Sequence, residues 1–301
     1  MQPTPILVER RFPLDLAQSL GSIRDLYEAG KSERWDPERD VAWAAFDRAA
    51  YAPAVLEAAR KVWSRRAWIE YTGLAETPAL LIRFCLEPGR EADPKYFLTV
   101  RNTEEAWHVE SFHRMAEACG GYIDRPADPA WEPVINQTLY RQALDAGQSL
   151  DEYVAVHCAV EDGLELELYA AYLGNARDAM VRGLLERVVA DKRRHAEFGW
   201  IYLASRAPQL DAAAKAGVAR AVAAWIEGVA LAGYHVPSLA AGIDARGEAA
   251  AAAACAEAGL GAVTAAAEEA LFAAYLRRAR ARLAELGVAV PELAHPRLGA
   301  I

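Results

Sequence analysis

Apolar residues recur at helical spacing over most of the chain. Ala, Leu, Glu and Arg fill the periodic segments, β-branched runs are short, and Gly and Pro gather between the segments. The breaks fall at EPGREADP (87–94), ACGGYIDRPADP (118–129), DAGQS (145–149), LGNARD (173–178) and RAPQLD (206–211). This pattern predicts four long helices, at roughly 53–86, 95–118, 149–173 and 176–205. Ser149 followed by Glu152 reads as a capping box for the third, and Asn175 as the N-cap of the fourth. An N-terminal arm (1–52, with RWDPERDVAWAAFD) is expected to pack across the bundle, and an Ala-rich extension (206–301) to add two or three helices. The expected fold is all-α, a single domain of residues 1–301 around a four-helix bundle at 53–205.

Composition narrows the function classes. With 301 residues and 53% apolar content, the chain can bury a sizeable core. A formal net charge of -9 without a clustered basic run argues against nucleic acid. Cys85, Cys119, Cys158 and Cys255 form no CxxC pair, which excludes a readable zinc ribbon or redox motif and fits reduced thiols. The start, MQPTPILVERRFPLDL, lacks the apolar core of a signal peptide, and the most apolar later stretch, Ala224–Ile243, is interrupted by Glu227, His235 and Pro237. A cytoplasmic protein outside the membrane is expected. No GxGxxG follows a strand, so neither flavin nor nicotinamide is expected.

The acidic and histidine residues bring in chemistry. Glu105 and His108 are three apart and share a helix face, one complete ExxH. Glu76 precedes Glu105 by 29 residues, and Glu161 precedes position 192 by 31. The chain thus reads as two similar halves: Glu76, then Glu105 and His108; Glu161, then Lys192 and His195. Acidic residues, Glu104 and Asp191, stand immediately before each pair. A second ExxH, Glu110 and His113, points to the opposite side of its helix and reads as surface or packing. His157, Glu161 and Glu165 are spaced by four and form one stripe aimed at the inferred centre. His157 is either an extra ligand or a buried imidazole bonded to a backbone carbonyl. His235 and His295 fall outside the inferred bundle and read as structural; Trp107, Tyr169 and Tyr172 read as core.

This order of residues resembles the ferritin-like di-iron carboxylate superfamily, in which a Glu from each of two helices and an ExxH from each of two others converge inside a four-helix bundle. The resemblance covers about residues 60 to 205, and DKRRHAEFG is similar to the DExRH segment of its oxygen-activating oxidases and oxygenases. It implies metal ligands at Glu76, Glu105, His108, Glu161 and His195, with His157 as an addition, and Glu104 and Asp191 as groups that orient the ligand histidines. It implies one or two iron ions, or manganese, O2 and a small-molecule substrate, an external electron donor (a reductase or ferredoxin), and a homodimer as a compatible assembly.

The departure is Lys192, where the superfamily has a Glu. With two ferrous ions, three carboxylates and a protonated Lys192, the buried site would stand at plus two. Either a single divalent metal restores balance, or further carboxylates such as Glu165 and Asp191 join. Two functions follow. One is a non-haem oxidase or oxygenase in which Lys192 and Glu165 take part in catalysis, Lys192 through a lowered pKa that lets it donate a proton or through pairing with Glu161 or Glu105. The other is a catalytically silent scaffold, partner subunit or metal-free relative in which Lys192 replaces metal charge.

Overall fold

The computed structural model describes residues 19–87, 89–137, 140–145 and 147–301. The first 18 residues of the expected arm lie outside them. Helix α1 (Gly21–Ser32) is followed by the long pair α2 (Pro53–Leu86) and α3 (Ala92–Cys119), then by the short α4 (Glu132–Ile135), α5 (Tyr140–Leu144) and α6 (Leu150–Tyr153). From α6 the chain continues through a π-helical stretch, Val154–Glu161, into α7 (Asp162–Asn175), and then into α8 (Ala179–Arg206). The extension supplies α9 (Ala212–Trp225), α10 (Arg246–Ala258), α11 (Ala265–Glu285) and a two-residue pairing of β1 (Ala294–His295) with β2 (Gly299–Ala300). The four expected helices are therefore α2, α3, the continuous 150–175 rod and α8.

Local chemistry sets the boundaries. Pro53 opens α2, where its missing N–H costs nothing. Gly120, at a φ of 132° that side chains rarely adopt, closes α3. Asp178 caps α8 by accepting from the Met180 and Val181 N–H groups, each at 3.0 Å. Asn175 is not that cap; its amide donates to the Ala256 and Ala262 carbonyls and ties α7 to the extension. The Ser149 cap forms, accepting from the Asp151 N–H, but Glu152 does not return the bond, its carboxylate lying against Gly217 instead. Among the described residues no helix is long and apolar enough to cross a membrane.

Helix α2 packs along α3, and α8 along α7 and the π stretch; α1 lies across α3 and α8, as expected of the arm. The apolar core is divided. A larger cluster holds Trp63, Phe112, Leu184 and Val188, and a smaller one holds Phe84, Phe97, Phe198 and Tyr202. On α3 and α8 a run of charged residues separates the two, at 101–108 and at 191–195, so a polar layer crosses the bundle between two apolar ones.

Two constraints hold this packing. The Gly199 backbone of α8 lies so close to the π stretch that a Cβ there would clash with the Cys158 carbonyl. Buried Asp151 joins the ends of α6 and α8 to the connection between α2 and α3, accepting from Arg206 Nε at 2.9 Å and Arg90 Nη1 at 3.1 Å. Burial pushes its carboxyl up, but the two guanidiniums outweigh burial and hold it below its ordinary 3.8.

Gly199→Ala is expected to destabilise the fold by about 1–3 kcal/mol or more, since neither backbone can retreat; chemical denaturation measures it. Asp151→Asn is expected to be less stable than the parent at pH 7. Because the folded pKa is depressed, this carboxylate stabilises above the unfolded pKa, and the gap should close as pH falls below 3.8. Denaturation curves of both proteins between pH 7 and pH 3 check the convergence.

Candidate metal centre

Each of the four bundle elements contributes to the polar layer. Helix α2 brings Glu70, Glu76 and Thr77; α3 brings Arg101, Glu104, Glu105 and His108; the π stretch and α7 bring His157, Glu161, Asp162 and Glu165; α8 brings Asp191, Lys192 and His195. Gly73, between Glu70 and Thr77, leaves room for the Glu105 carboxylate, whose Cδ would lie 2.9 Å from a Cβ at that position.

Lys192 sits at the middle. Its ammonium donates to Glu70 Oε1 and to Glu165 Oε2, each at 2.6 Å, tying α8 to both α2 and α7. Burial works against this charge, but Glu165 and Glu70 outweigh it and hold Lys192 well above its ordinary pKa. Lys192 thus pairs with Glu165 and Glu70 instead of the expected Glu161 or Glu105, and that pairing raises its pKa where a lowered one was expected.

The two ExxH-type helices exchange partners across the bundle. His108 Nδ1 is 2.9 Å from Glu70 Oε1, and its Nε2 is 3.0 Å from Asp191 Oδ2 on α8. His195 Nε2 is 2.8 Å from Glu104 Oε2 on α3. Glu104 and Asp191 therefore each hold the histidine of the opposite helix. Arg194 braces both, donating to Glu104 at 2.7 Å and contacting Asp191. The arm contributes Trp35, whose indole N–H donates to Asp191 Oδ2 at 2.9 Å.

These partners put the two histidines in different states. His108 has a carboxylate on each nitrogen; burial opposes its charge, yet the bonds to Asp191 and Glu70 prevail and lift its pKa to about 9. Burial, with the Arg101 and Lys192 charges beside it, drives His195 well below 6.5. His195 is neutral, its N–H is placed on Nε2 by Glu104, and its buried Nδ1 has no partner.

The remaining carboxylates form two groups. Glu105 Oε1 accepts from Thr77 at 3.0 Å and lies 3.3 Å from Arg101, which also holds Asp162 at 2.9 Å. Glu161 accepts from His157 Nδ1 at 2.6 Å and from His235 Nε2 at 2.9 Å. His157 thus bonds a carboxylate and not a backbone carbonyl, and His235, expected outside the bundle, reaches its centre from the extension. Burial raises Glu76 and Asp162 to about 8 each. Glu110 and His113 are exposed, as expected, with His113 against Tyr122.

A cavity of about 30 Å³ lies among these groups. Six carboxyl groups (Glu70, Glu76, Glu105, Glu161, Asp162 and Glu165) and two fixed cations, Arg101 and Lys192, line it, so even with Glu76 and Asp162 held protonated by burial the carboxylates outnumber the cations. Five buried acceptor atoms at this centre lack a partner: Glu70 Oε2, Glu76 Oε1, Glu105 Oε2, Asp162 Oδ2 and His195 Nδ1. In charge and donor chemistry the centre fits a divalent cation. In geometry it is incomplete: among the described residues, no three His, Cys, Asp or Glu side chains are placed to hold a metal ion together. A cation would have to draw side chains inward on the His195 and Glu105 side, because Lys192 already closes the Glu70 and Glu165 side.

Sequence reasoning missed Glu70, Trp35, Arg101, Asp162 and His235. Arg101 was within reach, four residues before Glu105 on the same helix. The matched spacings of 29 and 31 residues singled out Glu76 and Glu161, but the contacts to Lys192 come from Glu70 and Glu165. Trp35 and His235 lie on segments whose approach to the centre has no local signature.

No family model and no curated protein matches the sequence. Solved structures do match. An R2-like ligand-binding oxidase with an aerobically reconstituted Mn/Fe cofactor is 16% identical, with a TM-score of 0.66 over 89% of this chain and 94% of that one. A variant of such an oxidase with an anaerobically reconstituted Mn/Fe cofactor is 18% identical, with a TM-score of 0.63 over 87% and 92%. Another variant, with a non-activated Mn/Mn cofactor, is 15% identical, with a TM-score of 0.60 over 87% and 92%. The all-α bundle with its arm and extension is thus the ferritin-like fold of the R2-like ligand-binding oxidases, spanning nearly the whole of both chains.

Proposed function

We propose that this protein is a non-haem oxidase that binds one divalent iron or manganese ion beside Lys192 and oxidises a small organic substrate with O2. The observation that carries the reading is the neutral His195, its Nδ1 free, in a layer with four unpartnered carboxylate oxygens. Glu105 and His195 would hold the ion, with a carboxylate from the third element of the bundle. A bound iron or manganese supplies the redox change and the open coordination position that O2 needs.

The chain's own part is positioning. Glu104 fixes the His195 tautomer and ring, and Arg194 fixes Glu104. Lys192 supplies a fixed positive charge in place of a second ion and keeps Glu70 and Glu165 from closing on the centre. Because Glu165 and Glu70 hold its proton, Lys192 stabilises negative charge and does not act as an acid. Phe97, Phe112 and Phe198, all fully buried, keep the layer dry. Electrons would reach it from an external reductase or ferredoxin.

The Lys192 bridge favours a second reading, a metal-free bundle in which the ammonium alone balances Glu70 and Glu165. Elemental analysis after anaerobic loading with Fe(II) or Mn(II) separates the two. One tightly held ion per chain is expected for the parent. Lys192→Glu is expected to raise the content toward two, since it adds a carboxylate and removes the competing cation. Absence of retained metal in both proteins would leave only the metal-free reading.

Lys192→Ala leaves Glu165 buried without its cation and Glu70 with only His108, and is expected to cost about 3–5 kcal/mol. Added Mn(II) should recover part of that loss in a denaturant titration if the centre is a cation site, and none of it otherwise.

A further inference from the structure

Away from the polar layer, a groove of about 500 Å³ lies between α2, α3 and the connection that follows α3. None of the residues lining it lines the central cavity. Its volume is that of a small-molecule site, roughly 300–1,000 Å³. Helix α2 presents Trp68 and Tyr71 to it, three residues apart and so neighbours on one helix face, and the connection adds Tyr122. Tyr71 is 65% exposed, more than any other large apolar side chain among the described residues.

The frame of the groove is fixed. Trp68 Nε1 donates to the Ile123 carbonyl at 2.9 Å, Ser64 Oγ accepts from the Ile123 N–H at 3.0 Å, and Arg60 Nε donates to the Gly121 carbonyl at 2.9 Å. His113, from the second ExxH, stands against Tyr122 with ring centroids 4.4 Å apart. Elsewhere half-buried rings are covered by the chain's own cations, Tyr27 by Lys31 at 4.6 Å, Tyr96 by Arg24 at 4.7 Å and Trp107 by Arg34 at 5.7 Å. Among the described residues no Lys or Arg lies over Trp68, Tyr71 or Tyr122. The fixed charges are two exposed carboxylates, Asp124 and Glu132, against one guanidinium, Arg125. Neither carboxylate is in an ion pair among the described residues, so the groove is left negative.

Open ring faces attract positive charge through their quadrupole, and the carboxylates beside them add to that attraction. An anion would be repelled, and a neutral apolar molecule would desolvate Asp124 and Glu132 without compensation. A metal ion or a bare ammonium holds its water too strongly to exchange it for rings. An alkylated ammonium meets both demands, since its charge is spread over apolar methyl groups and its hydration is weak. We propose that this groove binds a small organic cation, a quaternary or alkylated ammonium, on Trp68, Tyr71 and Tyr122, with Asp124 and Glu132 as the opposite charge. The site is separate from the bundle centre and independent of any metal there.

Isothermal calorimetry on the protein as isolated tests this with tetramethylammonium chloride and with tert-butyl alcohol, a neutral molecule of nearly the same size and shape, sodium chloride holding the ionic strength equal. Saturable binding of tetramethylammonium is expected, with the alcohol weaker by about tenfold or more. Tyr71→Leu removes a ring face and keeps an apolar side chain, at a position too exposed for the fold to depend on it. It should weaken tetramethylammonium by about threefold or more and leave the alcohol unchanged. Absence of tetramethylammonium binding, equal affinity for cation and alcohol, or undiminished cation binding by Tyr71→Leu would overturn the proposal. So would a dimer in analytical ultracentrifugation that Tyr71→Leu dissociates, because a second copy would then fill the groove. The comparison of cation and alcohol uses the unaltered chain and no added metal, so it stands apart from the oxidase reading.

Discussion

A lysine ammonium held between two carboxylates at the centre of a bundle is the interaction on which the polar layer depends. Lys192 on α8 meets Glu70 on α2 and Glu165 on α7, all three side chains at or below 10% exposure. Ions moved out of water are costly, and only close opposite charge and full hydrogen bonding offset that cost. The arrangement is therefore intolerant of rotation of any of the three helices. It also dictates the state of its neighbours: Glu70, drawn to Lys192, becomes the partner of His108, and His108 in turn is charged by Asp191.

The two ExxH-type helices differ because of this one residue. On the Lys192 side the charges are paired, with one Glu70 oxygen left over, and His108 offers no free lone pair. On the other side, His195 is neutral with a free Nδ1, and Glu105 keeps an unpaired oxygen. The centre is therefore asymmetric, with the Lys192 charge on one side and a free imidazole nitrogen and carboxylate oxygen on the other. The π stretch belongs to the same design. Its wider turns place His157, Glu161 and Glu165 along the cavity while α8 approaches at Gly199.

The extension packs into the polar layer of the bundle. His235 bonds Glu161, and α10 and α11 wall a cavity over Arg65 and Arg66. A bundle of four helices alone would leave both arginines and Glu161 open to water. With the extension in place they are desolvated, which strengthens every electrostatic contact they make.

What the sequence by itself determined was the helical architecture and the acidic residue that stands before each pair. Helical periodicity and the Gly and Pro breaks located α2, α3, the 150–175 rod and α8, and the acidic residue before each ligand pair pointed to Glu104 and Asp191, because these signals are local in the chain. Lys192 was visible as the anomaly for the same reason. Only the tertiary structure decided which carboxylates meet it. Glu70 and Glu76 lie six positions apart on α2 yet both line the cavity, and Glu161 and Glu165 lie on either side of the end of the π stretch, so spacing along the chain did not identify which of them meet Lys192. The choice was made by the relative slide of α2, α7 and α8. That slide is set by packing between residues more than a hundred positions apart, as with Glu70 and Lys192, and by segments that approach from the arm and the extension, as with Trp35 and His235.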